Sequence, residues 1–191
     1  MGALVGTTQR DEVRGAVMSL RSATDVVVDT CTFHDVDPDV GAFLAPTLLR
    51  ATDANARSIH ATEAFGPVCT LVGYDDLDSA VRLAALGAGS LVASVVTPDV
   101  DEATALTLSI AAHHGRVHVL DASTAATSTG HGSPLPNLVH GGPGRAGGGE
   151  EMGGLRGIRH HMQTTAVQGS PDVLTAVTGQ WMPGATRHMD R

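Results

Sequence analysis

The sequence predicts an α/β fold with a parallel βαβ sheet and flanking helices. Three apolar runs, at residues 68–74, 90–97 and 116–121, are continuous rather than alternating, which is typical of buried strands. Helical patterns at 75–87 and 99–114 separate the three runs. Such an alternation predicts parallel βαβ units, and the right-handed crossover rule then places both helices on one face of the sheet.

The two helices carry terminal signals of their own. Asp76 or Asp78 is expected near the first N-terminus and Gly87 at its end. Its apolar positions are Val81, Leu83, Ala84 and Leu86. In the second helix, acidic residues occupy the first turn, and His113 and His114 are expected to complement the dipole at the last turn.

Before the first apolar run, residues 7–23 predict a helix with Thr7 or Thr8 as its N-cap. Its apolar face consists of Val13, Ala16, Val17 and Leu20. Residues 26–29 and 43–50 predict two strands, and Pro46 favours an edge position or a bulge in the second.

After Asp121 the composition changes to a loop of residues 122–149, rich in Gly, Ser, Thr and Pro. A short helix near Glu150–Met162, a strand at 162–169 and a final helix from Pro171 are expected to follow it. We therefore predict two parts, residues 1–121 and residues 122–191.

The composition excludes several classes of function. The 191 residues carry a net charge of −8, and all 12 basic residues are arginine, which argues against a nucleic-acid partner. Without lysine there is no Walker-type phosphate loop and no Schiff base. The ten histidines lack the spacing of a zinc site, so no metal is predicted. No apolar run is long enough to span a membrane and the N-terminus lacks a secretory pattern, so we predict a cytoplasmic protein.

Two cysteines, Cys31 and Cys69, lie beside strand-like runs. Two cysteines cannot form a disulfide framework, and we expect each to be a small buried hydrophobic residue rather than a reactive thiol.

The segment HGGPGRAGGGEEMGG, residues 140–154, contains a literal G-x-G-x-x-G at Gly142, Gly144 and Gly147. A dinucleotide-binding loop also needs a strand directly before it and an acidic residue about 20 positions later. Two prolines precede this segment, and Asp172 comes too late. A surface loop bent by its glycines is the favoured interpretation, and a nucleotide loop remains the alternative.

Four segments together resemble the aldehyde dehydrogenase superfamily. HATEAFGPVCTLVGYDDLDSAV (residues 60–81) is similar to its E-x-F-G-P motif with the strand and helix that follow, and GAFLAPTLL (41–49) to its G-x-F-x-x-P-T segment. MGALVGTTQRDEV (1–13) resembles its M-G-P-L segment, with Ala3 in place of the proline. SLVASVVTPDVDEA and GRVHVL match its next strand, helix and strand, so the resemblance covers nearly the whole chain in order.

The last third of the chain resembles one particular group within this superfamily. Residues 128–171 are similar to the dehydrogenase domain of ring-opening proteins of phenylacetate degradation, which oxidise a CoA-linked semialdehyde with NAD or NADP. In this superfamily a cysteine thiolate attacks the aldehyde, a hydride passes to the cofactor, and water activated by a glutamate releases the acid. The resemblance places the nucleophile, the base and the Rossmann domain before the M-G-P-L segment. It therefore implies no catalytic residue in this chain, and we expect the chain to be inactive alone. The alternative is a non-catalytic oligomerisation or interaction module.

The resemblance assigns four residues to binding. It implies that Glu63 bonds the nicotinamide ribose hydroxyls and that Phe65 packs against the nicotinamide side of the cofactor; a solvated carboxylate and a core aromatic are the alternatives. It places His140 and Arg145 on a substrate-side loop, as candidates for the phosphates of CoA, with surface solvation as the alternative. MQTTAVQG (162–169) resembles the late strand that joins a partner subunit's sheet, which predicts a homo-oligomer.

Overall fold

A computed structural model describes residues 3–29, 31–38, 40–128, 141–146, 158 and 161–186. The chain divides into two compact units, Met1–Ser79 and Ala80–Arg191. This division differs from the predicted boundary after Asp121, which concerns the extent of the family's catalytic domain and stays a prediction.

The first unit contains two helices, a 3-10 turn and a mixed three-stranded sheet. Its elements are α1 (Thr7–Leu20), a 3-10 turn (Arg21–Ala23), β1 (Thr24–Val28), β2 (Thr47–Ala51), α2 (Arg57–Ala61) and β3 (Val68–Leu71). The strand order is β1-β2-β3, with β1 antiparallel and β3 parallel to β2. The register of β1 shifts between Val26 and Val28.

Two predictions about this unit are wrong. The N-cap of α1 is Gly6 rather than Thr7 or Thr8, and no side chain caps the helix. Pro46 lies just before β2, which is the central strand and begins at Thr47. A central strand needs every amide donor, and Thr47 N donates to the Pro67 carbonyl over 2.8 Å where a proline could not.

The second unit contains the remaining elements and a parallel sheet. These are β4 (Ser90–Val96), α4 (Val100–Ile110), a 3-10 turn (Ala111–His113), β5 (His114–Leu120), a 3-10 turn (Gly144–Ala146), β6 (Ala166–Gln168) and α5 (Pro171–Thr178). The helix α3 (Leu77–Ala85) spans the division between the units. The strand order is β4-β5-β6, and both pairs are parallel.

The core of the second unit lies on one face of this sheet. Its buried members are Val95, Ala103, Ile110, Val117, Val119 and Val173. Val81 and Ala84 of α3 pack against the same cluster as the α4 residues. The prediction that both helices cover one face is therefore confirmed, and β4-α4-β5 is a parallel βαβ unit.

The strand at 68–74 differs from its prediction. It pairs with β2 in the first sheet, whereas β4 pairs with β5 in the second, so the predicted run of βαβ units is divided between two sheets. It is also only half-buried, because its residues alternate and leave Cys69 and Leu71 exposed. Cys31 is exposed too, in the irregular segment after β1, so the prediction of two buried cysteines is wrong.

Helix termini follow the sequence signals in part. Asp76 Oδ1 accepts from Ser79 N over 2.7 Å at the start of α3, as predicted. Gly87 does not end α3 with a left-handed turn: Ala88 (φ 55°) and Gly89 (φ 103°) do so. His114 begins β5 instead of ending α4, yet its Nδ1 lies 2.9 Å from the Ile110 carbonyl, so it still satisfies that helix end.

The C-terminal residues that the structure describes follow the predictions in part. Pro171 occupies the first turn of α5, as expected, and Gly179 ends that helix at φ 67°. β6 is shorter than the predicted strand and pairs with β5 of the same chain. Most of the helix predicted near Glu150–Met162 lies outside the described residues.

Candidate functional site

A tight loop at residues 62–67, between α2 and β3, carries the E-x-F-G-P motif. Gly66 N donates to the Ala64 carbonyl over 2.8 Å, and Val68 N donates to the Gly66 carbonyl over the same distance. The Pro67 carbonyl accepts a hydrogen bond from Thr47 N at the start of β2. These bonds fix the backbone of the motif to the sheet.

The helix α1 holds the other side of the loop. Gln9 Nε2 donates to the Phe65 carbonyl over 2.6 Å, while Gln9 Oε1 accepts from Val5 N over 3.0 Å. Gly66 lies against Val13, so closely that a Cβ at Gly66 would be 2.8 Å from Val13 Cγ2. The glycine of the motif is thus needed for close packing between loop and helix.

The two predicted cofactor residues project from this anchored loop. Phe65 is 69% exposed, so its ring is not a core aromatic in this structure. Glu63 is exposed two residues earlier. An ionised carboxylate accepts hydrogen bonds from two hydroxyls at once, and an exposed ring offers an apolar face. This pair of groups fits the nicotinamide riboside end of a dinucleotide.

The glycine segment has a different role in the described residues. Gly144 has φ 52°, and a Cβ there would collide with the Ala88 carbonyl oxygen. Gly89 has φ 103°, and a Cβ there would collide with the Pro143 carbonyl oxygen. The described part of the segment therefore packs backbone against backbone on the turn between α3 and β4.

Of the predicted substrate residues, Arg145 belongs to this packing. Its Nη2 donates to the Gly87 carbonyl over 2.8 Å, and the side chain is otherwise exposed. His140 and Gly147 lie outside the described residues. Glu63 and Phe65 belong to the first unit and Arg145 to the second.

Sequence reasoning missed a row of buried basic side chains on β5. His114, Arg116 and His118 alternate along the strand and are 3–5% exposed. Burial lowers the pKa of the Arg116 guanidinium. The available signal was the spacing i, i+2, i+4 of His114, Arg116 and His118 in HGRVHVL, which places them on the face opposite Val117 and Val119.

Asp121 ends β5 in a compact turn. Its Oδ1 accepts from Ser123 Oγ over 2.6 Å, from Ser123 N over 2.8 Å and from Thr124 N over 3.0 Å. These bonds, first among them that from the Ser123 hydroxyl, lower the pKa of Asp121 to about 2. The carboxylate therefore organises the turn as long as it is ionised.

A sequence profile described as the aldehyde dehydrogenase family matches residues 1–167. The chain belongs to the aldehyde dehydrogenase family. This is a family of oxidoreductases that act on aldehydes, and the match extends from before α1 into β6.

Curated relatives are consistent with this membership. Protein MaoC of Klebsiella aerogenes is 48% identical over 193 residues, covering 100% of this chain and 57% of that protein. The 3,4-dehydroadipyl-CoA semialdehyde dehydrogenase of Aromatoleum evansii is 43% identical over 147 residues, covering 75% of this chain and 28% of that protein. The chain thus spans little more than half of one relative and less than a third of the other.

Solved aldehyde dehydrogenases share the fold. Gamma-glutamyl-gamma-aminobutyraldehyde dehydrogenase from Burkholderia cenocepacia is 28% identical with a TM-score of 0.54, over 62% of this chain and 23% of that one. A betaine aldehyde dehydrogenase from Staphylococcus aureus, solved in complex with NAD+, is 23% identical with a TM-score of 0.55, over 63% of this chain and 24% of that one. The α/β fold with parallel strands is therefore that of aldehyde dehydrogenases.

Metal-binding clusters and membrane-spanning helices are both absent from the described residues. No group of three or more His, Cys, Asp or Glu side chains there could hold a metal ion. None of the helices in the same residues is both long and apolar enough to cross a membrane.

Proposed function

We propose that the chain is the C-terminal part of the catalytic domain of an NAD(P)-dependent aldehyde dehydrogenase, in which Glu63 and Phe65 hold the nicotinamide end of the cofactor. The observation that carries the proposal is the E-x-F-G-P loop, fixed by Gln9 and by the Pro67 carbonyl while both side chains are exposed. When bound, the cofactor supplies the hydride acceptor. The role of this chain is to orient it.

The two side chains restrict different motions. Glu63 would accept hydrogen bonds from the ribose hydroxyls and so orient the sugar. Phe65 packs its ring against the nicotinamide side and limits rotation of the base. Both act from a backbone that α1 and β2 hold in place, so little entropy is lost when the cofactor binds.

We infer that the substrate is a CoA-linked semialdehyde of the kind formed by ring opening in phenylacetate catabolism. The name and 43% identity of the Aromatoleum evansii relative support a CoA-linked semialdehyde, and the phenylacetate origin is proposed from the resemblance of residues 128–171. His140 and Arg145 are the candidate phosphate ligands for its CoA group. Arg145 is exposed, and the planar fork of N–H groups in a guanidinium suits bidentate contact with a phosphate. A cytoplasmic location is part of the proposal, and both cysteines are free thiols, as expected in a reducing compartment.

The nucleophile is proposed to be supplied from outside this chain. Cys31 follows β1 and Cys69 lies within β3, directly after the E-x-F-G-P loop. Neither position matches that of the family's nucleophile, so neither inherits its role.

Variants at Glu63 and Phe65 test the cofactor role in the natural polypeptide that carries this chain with a cysteine nucleophile. We expect Glu63→Gln and Phe65→Leu each to raise the KM for NAD(P)+ about tenfold, because a hydrogen-bonded charge or a ring contact is lost. Glu12→Gln, at an exposed glutamate of α1, is the matched control. Unchanged cofactor KM and kcat in both variants would refute the role.

The second candidate is an oligomerisation or interaction module without catalytic partners. It is favoured by residues 162–169, whose strand β6 ends the described sheet order β4-β5-β6 and is proposed to extend toward a second copy. Light scattering after size-exclusion chromatography is expected to show an oligomer at micromolar concentration, and a monomer alone would count against it. The coding frame separates the candidates: a frame that continues upstream into a cysteine-nucleophile segment favours the enzyme.

A further inference from the structure

The polar face of β5 is unusual for a central strand. His114, Arg116 and His118 point away from the apolar core that contains Val117 and Val119, yet they are 5%, 3% and 4% exposed. Three basic side chains are therefore buried in a row on one face of a three-stranded sheet. Buried cationic groups are normally paired with anions.

Arg116 lacks such a pair in the described part of the chain. Its Nε and Nη1 are buried and donate to no acceptor there. The ion pairs in those residues involve Arg10, Arg14, Arg21 and Arg50. Burial lowers the pKa of the Arg116 guanidinium, but an arginine side chain stays protonated in proteins. An unpaired buried cation is costly, so the arrangement is complete only with an added anion.

The neighbours of Arg116 supply further polar groups. Val92 of β4 and Ala166 of β6 lie beside Arg116 on the two neighbouring strands, and both have short apolar side chains. One register step further, Gln168 lies beside His118, and its buried Oε1 has no partner among the described residues. The Nε2 of His118 is 3.0 Å from Ser128 Oγ, which fixes the orientation of that imidazole.

We propose that this face of β5 binds an oxyanion, the carboxylate or phosphate group of a small molecule, with Arg116 as its main ligand. Charge-assisted hydrogen bonds from the guanidinium hold the oxyanion. His114 is a poorer ligand because its Nδ1 is engaged with the Ile110 carbonyl. The inference does not depend on the proposed cofactor role of Glu63 and Phe65.

Thermal unfolding of the full 191-residue chain tests the site with two probes, inorganic phosphate and succinate, at an ionic strength held constant with NaCl. For wild type we expect a saturable rise in Tm of about 5 °C at concentrations well above the Kd. The probe that gives the larger rise identifies a phosphate or a carboxylate as the preferred group. Arg116→Met is expected to abolish the rise, whereas Arg57→Met, at an exposed arginine of α2, keeps it.

The same variant gives a second readout without any probe. Since it removes an unpaired buried cation, Arg116→Met is expected to have a Tm equal to or above that of wild type in NaCl alone. A wild-type Tm that neither probe raises beyond NaCl overturns the proposal. So does a rise that persists unchanged in Arg116→Met.

If Arg116→Met does not fold, an NMR titration of the wild-type protein tests the proposal. The Nε–H resonance of Arg116, assigned by its loss in Arg116→Lys, should shift saturably in an NMR titration with the better probe. A resonance that stays in place through the titration overturns the proposal.

Discussion

Gly66 and Gly15 are two glycines of the first unit with opposite expected responses to substitution. A Cβ at Gly66 would lie 2.8 Å from Val13 Cγ2, and Val13 is 1% exposed with no room to move aside. Gly15 lies within α1, where a Cβ would meet nothing within 4 Å. The first glycine is required by contact, and the second only weakens a helix.

We therefore expect Gly66→Ala to destabilise the chain by about 1–3 kcal/mol through overpacking. Gly15→Ala should stabilise it by about 0.5–1 kcal/mol, because alanine loses less backbone entropy in a helix. Urea unfolding of the two variants measures both values. If Gly66→Ala proved as stable as wild type, the loop and α1 could not be packed as described.

Gly144 of the G-x-G-x-x-G pattern is also fixed by a close contact. At Gly144 the positive φ and the contact with the Ala88 carbonyl explain the residue by packing alone. Packing explains Gly144 without any bound nucleotide.

Among helices and strands, those with strong local signals were predictable. The apolar periodicity of residues 7–23, 75–87 and 99–114 located α1, α3 and α4, because each helix buries one regularly spaced apolar face. Pro171 marked the start of α5, since a proline at N1 loses no hydrogen bond.

Pairing between strands was less predictable, since it depends on residues far apart in the chain. The run at 68–74 suggested a strand beside β4, but β3 pairs with β2, twenty residues or so earlier in sequence. Its length of four residues and its half exposure follow from that pairing rather than from its apolar composition. The same limit explains why Cys69 is exposed.

The sequence predicted some residues of the candidate sites and missed others. A motif identified Glu63 and Phe65 by resemblance, whereas their anchoring by Gln9 and Val13 depends on tertiary contacts that no spacing within the motif contains. Arg116 was missed because a single arginine in a strand pattern suggests an edge or surface position. Its burial is a property of the assembled sheet.

The turn that ends β5 gives a pH dependence. Because the pKa of Asp121 is about 2 in the folded chain and 3.8 without these bonds, the folded state favours the ionised form. The stabilisation is complete above about pH 5 and is lost as the pH falls through 4 toward 2. After allowance for solvent screening it should amount to about 1 kcal/mol.

Urea unfolding from pH 6 to pH 2 measures this contribution. Asp121→Asn should be less stable than wild type at pH 6, and the gap should narrow toward pH 2. A gap that stays constant over the whole range would mean that the ionisation of Asp121 does not stabilise the turn.

For the chain as a whole, family membership and extent have to be considered together. Residues 1–167 match the family profile, while the chain covers 57% of Protein MaoC and 28% of the Aromatoleum evansii dehydrogenase. The edge strand β1 exposes three consecutive valines, Val26, Val27 and Val28, each to 40–49%. Edge strands normally carry charged residues or proline at such positions rather than a run of apolar side chains. Under the proposed function, this surface is covered by the rest of the dehydrogenase.

The division of labour proposed for this chain, cofactor positioning without a nucleophile, is tested most directly by NAD(P)H formation. The purified 191-residue chain is incubated with a semialdehyde and NAD+ or NADP+, and NAD(P)H absorbance is followed. We predict no formation above the protein-free rate, with Cys31→Ala and Cys69→Ala indistinguishable from wild type. Steady NAD(P)H formation that one of these cysteine variants abolishes would contradict the account, since the nucleophile would then lie within this chain.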